Sequence, residues 1–241
     1  MTQHIGIVAC SAEGAALCYR TVCLEGELYL GPNAHPEVSL HTHSLAEYIS
    51  HIDRGDWLGV GELMLSSTRK LAAAGADFVI CPDNTIHQAF SVVEGRSPLP
   101  WLHIADVVAS HAVECGYRRL GLTGTRWLVE SEVYPERLAA RGLTYVRPDR
   151  EERDAMNRIV MDELVHGVIT PDAVIAFQGA IERMKSEGCD AVILGCTEIP
   201  LVINDENSSL PTLDSTRLLA RAALHRAIHG AATPEIGRAH V

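Results

Sequence analysis

Hydrophobic residues in this chain form short runs separated by longer amphipathic stretches. The short runs are rich in Val, Ile and Leu and predict β-strands at 4–9, 38–42, 78–81, 101–104, 120–123, 144–147, 191–194 and near Thr212. The amphipathic stretches predict helices at 13–24, 45–54, 57–74, 86–94, 105–115, 128–141, 151–166, 171–187 and 215–229. Continuous apolar strands that alternate with helices are typical of parallel sheets covered on both faces. The pattern therefore predicts a doubly wound α/β protein.

Two segments of this pattern repeat each other. GADFVICPDNT (75–85) and GCDAVILGCTE (188–198) align without a gap at an offset of 113 residues. Residues 99–102 align with 210–213 at an offset of 111, and 4–7 align with 119–122 at an offset of 115. Anchors that keep their order and nearly their spacing indicate a duplicated half. We predict two pseudo-symmetric lobes, one from 1–104 plus about 214–230 and the other from 105–213, followed by a flexible tail at 231–241.

Composition narrows the classes of function. The chain has 241 residues, of which 47% are hydrophobic, and a net charge of −11, which argues against a nucleic-acid partner. Its seven cysteines show no paired spacing, so a secreted disulfide framework is not expected. The N-terminus lacks a signal-peptide pattern, and no apolar run approaches membrane-spanning length. We expect a reduced, cytoplasmic protein that does not bind membranes.

The loops that follow the strands carry the candidate chemistry. In open α/β sheets ligands bind beyond the carboxyl ends of the strands, here at 10–13, 82–85, 124–126 and 195–198. The repeat places Asp83 and Cys196 at equivalent positions. We expect them to face each other across a cleft between the lobes, on either side of a substrate stereocentre.

Several of these segments resemble the aspartate/glutamate racemase family, within the Asp/Glu/hydantoin racemase superfamily. They are DNTIH (83–87), LGLTGT (120–125), NRIVMDELVHG (157–167), GADFVI (75–80) and AVILGCTEIPLV (191–202), of which GCTE after a buried strand is the most specific. The similarity extends from about residue 5 to residue 223. It implies two α/β lobes around an active-site cleft, a cofactor-independent isomerase that acts on a small carboxylate-bearing substrate, a homodimer, and two cysteines that act as acid and base.

This chain keeps one of those two cysteines. Cys196 lies in GCTE, whereas Asp83 stands where the family usually has its first thiol. Cys81 is not a substitute, because the repeat pairs it with a buried apolar position. The resemblance thus assigns proton transfer to Cys196 and Asp83. Asp83 could instead cap the helix predicted to begin near Ile86.

The same loops supply candidate substrate-binding residues, which are Ser11, Asn84, Thr85, His87, Thr125, Thr197 and Glu198. Val174 stands where the family commonly has a basic residue, which bears on side-chain specificity more than on the fold. No phosphate-binding loop occurs, and His41 and His43 have no nearby cysteine or carboxylate to complete a metal site. We expect no metal and no cofactor.

The unlike pair leaves more than one reaction open. With ordinary pKa values of about 3.9 for Asp and about 8.5 for Cys, the resting pair is carboxylate and thiol, and the reverse state lies roughly 6 kcal/mol higher. A cleft that closes this gap would give an amino-acid racemase, the main hypothesis. A cleft that does not would suit a one-thiol decarboxylase or cis–trans isomerase of a small dicarboxylate. A non-catalytic small-ligand binding protein would not need a reactive thiol.

Overall fold

The structure, a computed structural model, describes residues 2–230, and the predicted tail at 231–241 lies outside the described residues. Contacts divide the chain into two compact units. One contains the residues up to Val107 together with the C-terminal stretch from Thr216, and the other is Val108–Ser215. The two boundaries fall within a helix (Ile104–Glu114) and at the start of another (Ser215–His229).

The first unit is built on a four-stranded parallel sheet in the order β2-β1-β3-β4. Its elements in chain order are β1 (Ile5–Ala9), α1 (Ala12–Leu30), β2 (Val38–Thr42), α2 (Leu45–Ile52), α3 (Trp57–Ala73), β3 (Phe78–Ile80), a 3₁₀ segment (Thr85–Ala89), α4 (Phe90–Glu94) and β4 (Trp101–Leu102). The chain then enters α5 (Ile104–Glu114), which crosses into the second unit. Every residue of β1 and β3 is buried, as expected for central strands of a sheet covered on both faces.

The second unit repeats this topology with the order β6-β5-β7-β8. Its elements are β5 (Arg119–Thr123), α6 (Arg126–Val129), α7 (Val133–Ala139), β6 (Thr144–Val146), α8 (Arg150–Asp162), a 3₁₀ segment (Leu164–His166), α9 (Pro171–Ser186), β7 (Ala191–Leu194), a 3₁₀ segment (Ile199–Leu201) and β8 (Thr212–Asp214), and the chain then enters α10 (Ser215–His229).

The register of the sheets confirms the α/β fold and the repeat. Ile5 pairs with Phe78 in the first unit, and Leu120 pairs with Ala191 in the second. These pairs join strands at equivalent places in the two halves. The doubly wound α/β fold with parallel sheets was therefore correctly predicted.

Some predicted helices differ from the observed ones. The helix predicted at 128–141 is divided into α6 and α7, because Pro135 has no N–H to bond to the preceding turn. The helix predicted at 86–94 begins as the 3₁₀ segment at Thr85. Helix α1 continues past the predicted end at residue 24 to Leu30 and stops at Gly31, whose φ of 97° favours glycine.

Candidate active site

Asp83 lies directly beyond β3 and is held by local hydrogen bonds. Its Oδ1 accepts a hydrogen bond from the backbone N–H of Ile86 at 3.2 Å. Its backbone carbonyl accepts one from Nδ1 of His87 at 2.7 Å. Asp83 thus has the geometry of a side-chain cap over the 3₁₀ segment, with a partly exposed carboxylate.

His87 supports this loop from within. Its Nε2 lies 3.4 Å from the backbone N of Ile104, which can only donate, whereas the Asp83 carbonyl can only accept. A ring that donates at Nδ1 and accepts at Nε2 satisfies both of these partners. It is buried and lies 4.5 Å from the ring of His103. These contacts place His87 against the backbone of Asp83.

Asn84 and Thr85 complete the loop after β3. The carbonyl of Asn84 accepts a hydrogen bond from the backbone N–H of His87 at 3.2 Å. Asn84 is buried, whereas Thr85 is partly exposed and accepts a hydrogen bond from Gln88 through its carbonyl at 3.3 Å. The backbone of this turn is therefore fixed by several short-range bonds.

Cys196 follows β7 at the equivalent place in the second unit, and its thiol faces a carboxylate. Its Sγ donates to Oε2 of Glu198 at 2.9 Å, and the hydroxyl of Thr197 donates to the same oxygen at 2.7 Å. Thr197 and Glu198 are buried, whereas Cys196 is partly exposed. A carboxylate can only accept hydrogen bonds, so this arrangement favours the protonated thiol. It presents Cys196 as a proton donor.

Gly195 brings the chain to this position. A Cβ at residue 195 would lie 2.5 Å from the carbonyl oxygen of Thr123, so a larger residue would push β7 away from β5. The hydroxyl of Thr123 donates to the carbonyl of Ile193 at 2.7 Å. This close contact of neighbouring strand ends fixes where Cys196 leaves the sheet.

Ser11 and Thr125 occupy matching positions after β1 and β5. The Ser11 hydroxyl accepts from the N–H of Gly14 at 3.3 Å, and the Thr125 hydroxyl accepts from the N–H of Leu128 at 3.4 Å. Both are helix N-caps. The predicted residues thus fall into two groups. The first unit brings together the strand-end loops that carry Ser11, Asp83, Asn84, Thr85 and His87, and the second those that carry Thr125, Cys196, Thr197 and Glu198.

Cys81 has a different environment from Cys196. It is fully buried, and burial together with the nearby Asp83 carboxylate raises the pKa of its thiol well above the ordinary value. Such a thiol does not ionise near neutral pH and serves as a small packing residue.

Tyr48 is a buried polar residue near this loop that the sequence analysis missed. Burial, and then the neighbouring Cys81 and Cys10, raise the pKa of its phenol, so it remains neutral. The signal was its place on the apolar face of the predicted helix at 45–54, three residues after Leu45.

Residues 2–230 were compared with two other kinds of site, a metal centre and a membrane span, and match neither. In that range we find no group of three His, Cys, Asp or Glu side chains arranged to hold a metal ion. Within the same range, no helix combines the length and apolar character needed to cross a bilayer.

Comparison with known sequences identifies the family to which most of this chain is similar. Residues 14–223 match the family model described as Asp/Glu/Hydantoin racemase. The chain is 23% identical over 158 residues to the broad-specificity amino-acid racemase RacX of Bacillus subtilis strain 168, a match that covers 64% of this chain and 66% of that protein. A match to the glutamate racemase of Limosilactobacillus reuteri strain DSM 20016 is 20% identical and covers 77% of this chain and 63% of that enzyme. The chain spans less than two thirds of the length of these curated relatives.

Solved structures give more complete matches. A candidate Asp/Glu racemase from Yersinia pestis is 30% identical with a TM-score of 0.88, and the match covers 94% of this chain and 100% of that chain. An aspartate racemase homologue from Pyrococcus horikoshii OT3 is 27% identical with a TM-score of 0.83, covering 95% and 100%.

Proposed function

This chain belongs to the Asp/Glu/hydantoin racemase family, and on that premise we propose that it is a cofactor-independent amino-acid racemase. Asp83 and Cys196 act on opposite faces of the substrate Cα. One observation carries the proposal. The repeat gives the end of β3 a carboxylate and the end of β7 a thiol that donates to Glu198. The carboxylate can accept a proton as a base, and the thiol can donate one as an acid.

The reaction balances with these side chains alone. The Asp83 carboxylate takes the Cα proton, the electron pair of the C–H bond delocalises into the substrate carboxylate, and the Cys196 thiol delivers its proton to the other face. Asp83 is then protonated and Cys196 is a thiolate. Exchange of protons with water restores the resting pair.

Glu198 has a positioning role in this proposal. Its carboxylate oxygen holds the hydrogens of both Cys196 and Thr197, which fixes the direction of the thiol. This hydrogen bond requires the S–H hydrogen of Cys196, which a thiolate lacks. The direction in which Cys196 acts as acid is therefore the easier one, although an enzyme must allow both directions.

The same observation favours a second candidate. A thiol held in its protonated form is sufficient for a reaction with one protonation step, such as decarboxylation of a malonate-like diacid. The decarboxylase releases CO₂ from a diacid, whereas the racemase inverts a stereocentre without loss of carbon. Product analysis separates the two.

Assembly and location form part of the proposal. Within residues 2–230, which contain all seven cysteines, no two cysteines are joined by a disulfide, which suits a reducing compartment such as the cytoplasm. The homodimer implied by the family resemblance stays a prediction. Sedimentation of the purified protein tests it.

Deuterium exchange tests the proposed function. Candidate L- and D-amino acids are incubated with the protein in heavy water, and deuterium at Cα and the enantiomeric ratio are followed by NMR and chiral chromatography. The expected result is deuterium exchange with inversion. Cys196→Ser should remove it, and Cys115→Ser, at an exposed cysteine directly after α5, should preserve it. No exchange with any amino acid would contradict the proposal.

A further inference from the structure

The first unit contains a pocket that takes no part in the proton-transfer steps described above. It has a volume of about 540 Å³ and lies between the first turns of α1 and the outer strand β2. Ala12, Ala15 and Ala16 form one wall, and Leu40, Thr42 and Leu45 form the other. Small-molecule pockets commonly measure about 300–1,000 Å³, so this one can hold a bulky organic group.

The pocket exists because one face of β2 is left open. Val38, Leu40 and Thr42 alternate along the strand and therefore point to the same face, towards α1. The opposite face is covered by α3, where Nδ1 of His41 lies 3.0 Å from the hydroxyl of Ser67. On the open side the alanines of α1 are too short to fill the space.

Exposed apolar side chains surround this pocket. Tyr19 is 45% exposed, Leu40 is 44% exposed and Leu45 is 40% exposed. Large apolar side chains grouped around a concavity mark a binding site more often than isolated ones do. The pocket therefore has the surface of a ligand site.

Its position relates it to Asp83. Strand β1 lies between β2 and β3, and Ile7 pairs with Ile80. The loop with Cys10 and Ser11, which lines the pocket, thus leaves the sheet beside the loop that carries Asp83. Neighbouring strands lie about 4.8 Å apart, so the edge of the pocket at Cys10 and Ser11 is one strand from β3, and its wall on β2 is two strands away, roughly 10 Å. A long substrate side chain whose Cα is held at Asp83 can span that distance.

We propose that this pocket binds the side chain of the substrate, and that this side chain is bulky and uncharged. The inference rests on the proposed function, because it places the substrate Cα beside Asp83. It assigns the enzyme a preference for aromatic or long aliphatic amino acids over aspartate and glutamate.

The charge of the lining supports this substrate class. Among the described residues that line the pocket, none is Lys, Arg, Asp or Glu. A carboxylate buried there would lose its hydration without gaining a cationic partner. The positive end of α1 does not replace that cation, because Ser11 already caps it and Glu13 adds a negative charge in the first turn.

The polar lining residues have local partners. The hydroxyl of Thr42 donates to the carbonyl of His43 at 2.7 Å, and Nε2 of His43 lies 3.1 Å from the hydroxyl of Ser66. The first hydrogen bond stays within the pocket wall, and the second leads to α3 on the other face of β2, which leaves a mainly apolar interior.

The test uses two variants and one control. Ala16→Phe places a ring in the pocket from an exposed position of α1, and Leu45→Arg adds a cation to its wall. Ala73→Phe makes the same change at an exposed position of α3 outside the pocket. Calorimetric binding and Cα deuterium exchange are measured with phenylalanine, methionine, alanine, aspartate and glutamate.

The parent is expected to bind phenylalanine and methionine more tightly than aspartate or glutamate. Ala16→Phe is expected to weaken the binding of phenylalanine and methionine at least about tenfold, the effect of losing a few methylene contacts in a hydrophobic pocket. The binding of alanine should not change. Leu45→Arg is expected to shift the preference towards aspartate and glutamate, and Ala73→Phe to match the parent.

Two results would overturn the inference. One is equal or tighter binding of aspartate and glutamate by the parent. The other is unchanged phenylalanine binding in Ala16→Phe. If that variant changes only the self-association of the protein, the pocket is a contact between copies of the chain. A third result would separate the two proposals. If the parent binds phenylalanine, Ala16→Phe removes that binding, and no amino acid exchanges its Cα proton, the pocket is a ligand site but the protein is not a racemase.

Discussion

The loop after β3 and the loop after β7 occupy the same place in the two halves of the repeat but differ in chemistry. In the first, the Asp83 carboxylate accepts a hydrogen bond from the backbone of Ile86. In the second, the Cys196 thiol donates a hydrogen bond to the Glu198 carboxylate. One topology therefore presents an acceptor in one half and a donor in the other, which makes the two proposed proton-transfer positions unequal.

The largest effect is expected from removing the donor. Cys196→Ser should lower stereoinversion at least about a hundredfold, the lower end for loss of a general acid or base. Serine can keep the hydrogen bond to Glu198, so the fold should be retained. Chiral analysis of the product and the thermal midpoint measure the two effects, and near-normal inversion would show that the thiol is not used.

The second largest effect is expected from giving both loops a thiol. It concerns the reverse direction of proton transfer, in which Asp83 is the acid and the Cys196 thiolate is the base. Asp83→Cys replaces the carboxylate by a thiol and removes the roughly 6 kcal/mol difference between the two protonation states. At saturating substrate, the turnover numbers for inversion of the two enantiomers should become more nearly equal, whereas kcat/KM is the same from both enantiomers in every variant because their equilibrium constant is one. Asp83→Ser is the control, because serine can cap the turn without supplying a comparable base. Equal rate ratios in the parent and Asp83→Cys would contradict a pKa mismatch.

A smaller effect is expected from neutralising the carboxylate beside the thiol. Glu198→Gln keeps a side-chain oxygen near Cys196 and Thr197 but removes the negative charge. With the negative charge gone, iodoacetamide should alkylate Cys196 several times faster at neutral pH, because the thiolate is the reactive form. Mass spectrometric mapping gives the rate at each cysteine, and the exposed Cys115 is the internal reference. An unchanged rate at Cys196 would show that Glu198 does not influence the thiol.

The smallest effect concerns the buried thiol of the first loop. The pKa of Cys81 is raised in the folded protein, mainly by burial, so its contribution to stability is complete below the ordinary thiol pKa. That contribution is lost as the pH rises above about 8.5, where the unfolded chain releases the proton. Urea unfolding between about pH 8 and pH 9.5 should show a shallower decrease for Cys81→Val than for the parent. Parallel decreases would mean that Cys81 is not protected by burial.

Much of the fold could be predicted from apolar runs and the repeat. The observed strands β2 and β7 have the predicted bounds, and the two sheets have the same strand order. The division between α6 and α7 was missed because helical periodicity continues across it, whereas Pro135 interrupts the hydrogen bonds.

The site was less predictable than the fold. Spacing placed Cys196 and Glu198 in one loop, but their hydrogen bond depends on the 3₁₀ turn that follows. The pocket beside α1 could not be read from the sequence, because it depends on which alanines face the open side of β2. Packing between elements distant in sequence decides such features, and local patterns do not record it.

The central claim is that Asp83 is a base and not only a cap, and deuterium incorporation from each enantiomer tests it most directly. Asp83→Asn keeps an oxygen that can accept from Ile86 but cannot abstract a proton, and Asp83→Ala removes both functions. The account predicts that both variants lose Cα exchange from the enantiomer whose hydrogen faces Asp83, while substrate binding persists. If Asp83→Asn and Asp83→Ala exchange both enantiomers as fast as the parent, Asp83 is a helix cap and the racemase with an unlike pair is wrong.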